Sequence, residues 1–94
     1  MKVFQVTGDS KRIYFKNYYR ISVEQEFDNL LSELKEVGCT VCDKIMDPSE
    51  DLFHCNSDLG EFSILLPIDD DLFIYSDDPK AIDKLMGWFN RDNS

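Results

Sequence analysis

The chain has 94 residues, room for one domain and one core, and its 43% apolar and 13% aromatic content is that of a globular protein. The net charge of −9 therefore does not signal disorder. It does argue against direct binding to nucleic acid or to an anionic membrane, both of which repel a strongly acidic domain. No apolar run approaches the roughly 20 residues of a membrane span. The start, MKVFQVTGDS, lacks the apolar core and small-residue cleavage site of a secretory signal. Three cysteines, an odd number, fit a reducing compartment better than a disulfide framework, so a cytoplasmic protein is expected.

KVFQV (2–6) and RIYFK (12–16) are short β-prone runs around TGDSK, whose Gly8-Asp9 supplies turn chemistry, and a hairpin is expected. In KNYYR, Tyr18 and Tyr19 stand between basic residues. On a basic protein they would suggest base stacking, whereas here they read as strand-end aromatics under a helix. Ser22 then suits a helix N-cap, with Gln25 completing a capping box. Val23, Phe27, Leu30, Leu31, Leu34 and Val37 recur at helical spacing, and Gly38 sits where a C-cap belongs, so the first helix is expected over 22–37.

After Gly38 the period changes. Residues 39–46, 52–55, 61–68 and 71–76 read as four strands separated by DPSED, NSDLG and DDD. In the third, Phe62, Ile64, Leu66 and Ile68 alternate with Glu61, Ser63, Leu65 and Pro67, which marks a core strand weakened at its end by the proline. Asp78-Pro79 opens a last helix whose apolar side is Ala81, Ile82, Leu85, Met86, Trp88 and Phe89. The expected fold is a single α+β domain over residues 1–94. Its antiparallel meander of five or six strands carries two helices on one face, in the order β-β-α-β-β-β-β-α.

The spacing Cys39-x-x-Cys42, followed by His54-Cys55, raises three chemistries. A structural zinc site wants four converging ligands and a tight turn, but Thr40 and Val41 favour extension, and in a strand Cys39 and Cys42 point to opposite faces. A redox pair wants a helix N-terminus, whereas this pair follows a helix end in acidic surroundings that raise a thiol pKa. A Cys-His nucleophile has only His54 as base and no glycine-rich oxyanion turn. The thiols are thus expected to be buried and structural. A zinc or thiol protein using Cys39, Cys42, His54 and Cys55 is the alternative, tested by metal content and thiol reactivity.

The charge is unevenly spread. Residues 1–42 hold six acids and six bases, while residues 43–94 hold thirteen acids and four bases, so the whole excess lies in the second part. Its densest stretch, PIDDDLFIYSDDPKAID, lacks the glycine and glutamate of a calcium loop. A domain this small offers no evident cleft for paired-carboxylate glycoside hydrolysis either. Solvated turns and caps explain Asp78 alone, but three adjacent aspartates repel one another where a neutral turn would serve. Such a surface suits a basic, concave partner, with carboxylates taking the places of phosphates and an aromatic as anchor. The candidate partner-binding residues are Asp69, Asp70, Asp71, Tyr75 and Asp77, with Asp47, Glu50 and Asp51 as a second cluster.

In size, acidity and an α/β build without catalytic residues, the chain is similar to bacterial immunity proteins that protect a cell against toxins, including those of contact-dependent growth inhibition. The resemblance implies a binding protein rather than an enzyme, with no cofactor, that holds a basic toxin nuclease one-to-one. A nucleic-acid mimic against another target, or an ordinary regulatory interaction domain, would share the same physics.

Overall fold

The computed structural model describes residues 3–16, 20–46, 50–68 and 71–91. Six strands form one antiparallel sheet: β1 (Val3–Phe4), β2 (Arg12–Phe15), β3 (Thr40–Met46), β4 (Glu50–Ser57), β5 (Gly60–Pro67) and β6 (Phe73–Tyr75). Their spatial order is β1-β2-β6-β5-β4-β3. Two helices complete the fold, α1 (Val23–Leu34) and α2 (Pro79–Phe89). The expected α+β class and element order are those observed.

The topology is more than a simple meander. β3 to β6 follow one another across the sheet in the order β3-β4-β5-β6, but β6 then pairs with β2, so the opening hairpin completes the sheet on its other side. α1 therefore carries the chain across the sheet, from the end of β2 to the far edge at β3. Tyr18 and Tyr19 in that connection lie outside the described residues.

Local chemistry sets the helix ends. Ser22 accepts a hydrogen bond from the Gln25 backbone N–H, as an N-cap should. The capping box is not completed: Gln25 donates its side-chain amide to Asn29 Oδ1 at 3.0 Å. α1 tightens into a single 3₁₀ turn at Lys35–Val37 and stops at Gly38, whose φ of 66° lies in the left-handed region. Asp78 caps α2 by accepting from the Lys80 N–H, with Pro79 as its first residue.

Both helices cover the same face. Leu30 and Leu34 of α1, and Ile82, Leu85 and Phe89 of α2, are buried against Ile13, Phe15, Phe53, Cys55, Phe62, Ile64 and Ile74. Phe27 meets Phe53 at 4.6 Å between ring centres, and Phe15 meets Phe89 edge-on at 5.3 Å. Ile68 departs from its expected core position and is 66% exposed, because β5 ends at Pro67, which has no N–H to continue the ladder. All seven residues of β3 are exposed.

Candidate functional site

Strand direction divides the acidic residues between the two ends of the sheet. At one end α1 begins, β4 begins, β5 ends and β6 begins. Glu50 pairs with Pro67 and Asp51 with Leu66, and Asp71 lies just before β6. Glu50 and Asp51 are thus the first residues of β4 and not part of the expected turn. They share that end with Glu24 in the first turn of α1. Val23, Glu24, Asp51, Leu66, Pro67 and Ile68 line a pit of about 300 Å³ there, with apolar walls and two carboxylates. Asp47, Asp69 and Asp70 lie outside the described residues.

Tyr75 and Asp77 lie at the opposite end of the sheet. The Tyr75 hydroxyl donates to Asp77 Oδ1 at 2.7 Å, and Lys11 pairs with the same oxygen at 3.3 Å. The Tyr75 bond, then Lys11, hold the Asp77 carboxyl below the ordinary range, while that carboxylate raises the Tyr75 phenol. Asp77 is therefore already partnered, whereas Glu24, Glu50 and Asp51 enter no ion pair among the described residues. The fold brings Glu50, Asp51 and Asp71 to one end and separates them from Tyr75 and Asp77.

The same end holds a residue that charge counting treated as one acid among many. Glu26 is 3% exposed, on the stripe that also buries Leu30 and Leu34. Its Oε1 has no hydrogen-bond partner among the described residues, and burial, reinforced by the charge of Asp71, pushes the carboxyl above its ordinary range. Its spacing, four residues before Leu30 and eight before Leu34, was the signal available in the sequence.

Two of the three thiols, Cys39 and Cys55, come together. Val41 pairs with Cys55 and Asp43 with His54, so Cys42 is the extra residue of a β-bulge. Cys39 stands just outside β3 and packs half-buried against the core that contains Cys55. Contact with Cys39, then burial, pushes the Cys55 thiol up. Cys42 is exposed, contrary to a wholly buried set. His54 lies half-buried on the other face, with Nδ1 3.5 Å from Ser63 Oγ. Among the described residues no three His, Cys, Asp or Glu side chains gather as metal ligands do.

Exposure orders the reactivity of these thiols. Timed alkylation of the native protein, read by peptide mass spectrometry, should label Cys42 first and Cys55 last. Equal rates at the two would show that β3 and β4 part in the native state.

No protein-family model, curated protein or solved structure matches the chain. No helix among the described residues is long and apolar enough to cross a membrane.

Proposed function

We propose that the chain is a binding module that neutralises a basic protein, most concretely an immunity protein that inhibits a toxin nuclease through its acidic surface. The supporting observation is the gathering of Glu24, Glu50, Asp51 and Asp71, from separate segments, at one end of the sheet. Three of these carboxylates have no ion-pair partner among the described residues, so their charge is available to a partner's Lys and Arg. The apolar-walled pit between Glu24 and Asp51 suits the aliphatic stem of such a side chain, with its cationic head at the rim.

Affinity capture from the source cell's lysate at low and moderately high salt tests this reading. The expected result is one basic protein held stoichiometrically at both salts, whose nuclease activity is lost on adding the purified chain. Asp51→Ala should then weaken the complex by about 2–5 kcal/mol if Asp51 is fully desolvated there, and by far less if it lies at the rim. Recovery of only scattered basic proteins that wash away as salt rises would refute a dedicated partner.

A further inference from the structure

The sheet face that the helices leave open carries a continuous apolar row. The registers set Phe4 opposite Tyr14, Tyr14 opposite Phe73, Phe73 opposite Leu65, Leu65 opposite Leu52 and Leu52 opposite Ile45. Every strand contributes one residue, so the row crosses five inter-strand steps of about 4.8 Å, roughly 24 Å in all. Phe4, Tyr14 and Phe73 are in ring contact, with successive centres 5.6 Å apart. The row's ends are open, Phe4 at 39% and Ile45 at 56% exposure. A solvated sheet face ordinarily turns polar side chains outward, and a contiguous apolar patch on it marks a contact surface.

A polar row runs alongside: Arg12, Tyr75, Ser63, His54 and Asp43 in register. The Arg12 guanidinium lies over both Phe73 and Tyr75, at 5.8 and 5.4 Å from the ring centres. Beside this row a groove of about 570 Å³ is lined by His54, Ser63, Tyr75, Glu61, Asp77 and Asp78, among others. Three of its lining residues are carboxylates and none is Lys or Arg. Asp77 is partnered by Lys11 and Asp78 caps α2, whereas Glu61 is exposed and enters no ion pair among the described residues.

We propose that the open sheet face is the docking surface for a basic protein. The apolar row forms the dry centre of the contact, and the groove at Glu61 receives an arginine or lysine side chain. The proposal rests on the reading above in taking the partner to be basic, but it moves the centre of the contact from the acidic end to the open face. Charge complementarity selects the occupant. A second copy would bring another net charge of −9 against this one, with Asp43, Glu61, Asp77 and Asp78 on both sides.

Short capped peptides alternating leucine with arginine, serine with arginine, and leucine with glutamate are the probes, titrated into the whole isotope-labelled protein by NMR. The leucine–arginine peptide should shift amides of β3, β4, β5 and β6 and bind about ten-fold more tightly than either of the others. Glu61→Lys and Ile45→Ser, both at exposed positions, should each weaken it several-fold with an unchanged melting temperature. Equal binding of the serine–arginine peptide, or shifts confined to Glu24 and Asp51, would overturn the proposal. So would a concentration-dependent dimer that broadens the open-face amides. If the wild type captures a basic protein and both variants hold it as well, the surface is wrong and the neutralising reading stands. If the wild type captures nothing, that reading fails while the peptide series still decides the face.

Discussion

Replacing Glu26 with methionine should raise the melting temperature at neutral pH, and the gain should fade as the pH is lowered. The side chain is 3% exposed among Leu30, Leu34 and the sheet, and its Oε1 has no partner among the described residues. An ionised carboxylate there pays desolvation without the hydrogen bonds that would offset it. An apolar side chain of similar length removes that cost, worth about 1–4 kcal/mol by comparison with other buried charges replaced by hydrophobic groups. In a domain of this size each kcal/mol moves the melting temperature by about 4–8 °C. The sign of the pH effect follows from linkage. Burial and Asp71 raise the folded pKa, so the fold binds the proton more tightly than the unfolded chain does. The wild type keeps that contribution below the ordinary carboxylate range and loses it as pH climbs through the raised value. Glu26→Gln, which removes the charge and keeps the shape, should show the same trend with a smaller gain. Thermal unfolding of the three chains across the acidic range decides it; a methionine variant no more stable than wild type at neutral pH would sink the argument.

Gly60→Ala should be the most damaging single methyl group in the chain. Gly60 adopts φ +120°, a conformation L side chains rarely reach, and an added Cβ would lie 2.8 Å from the Ala81 Cβ. The position is fixed on both sides. Ser57 donates its hydroxyl to the Gly60 carbonyl at 3.0 Å, and Ala81 is buried in the first turn of α2. Backbone strain of about 1–3 kcal/mol and overpacking of similar size together take a large share of an ordinary domain's stability. The two contributions can be separated. Adding Ala81→Gly relieves the overlap but not the strain, so the double variant should recover only part of the loss, with a coupling of about 0.5–3 kcal/mol in urea unfolding. A single variant within about 0.5 kcal/mol of wild type would mean that the turn relaxes freely.

The sequence was most informative where one residue does one local job. Ser22, Gly38, Asp78 and Pro79 mark helix ends through their own backbone or side-chain chemistry, and each does so in the structure. It was least informative where side chains meet across strands. The pairing of Val41 with Cys55 puts Cys39, two residues earlier, on the same face as Cys55, and that register cannot be read from either strand alone. The apolar row was equally hidden, because its six members come from six strands and the pairing of β2 with β6 is a matter of topology. Leu65 was visible as an apolar residue on the wrong parity for the core, and that mismatch was the available clue. For the acids, the stretch-by-stretch density around Asp69 to Asp77 was legible. The division of Asp71 from Asp77 followed from β6 lying between them, whereas the joining of Glu50 and Asp51 to the same end as Asp71 needed the strand directions.

The edge at β3, unpaired on its outer side among the described residues, bears on how the chain behaves when crowded. A free edge strand is a template for an identical neighbour, and antiparallel self-pairing sets residues of the same face opposite one another. The registers that use most of β3 centre on Asp43 or on Lys44, so two aspartates or two lysines would meet directly. The favourable match of Asp43 with Lys44 is barred, because Asp43 lies beside His54 on the open face and Lys44 beside Phe53 on the helix side. Concentrated chains are thereby discouraged from zipping into longer sheets, and the edge stays free without becoming a seed for fibres.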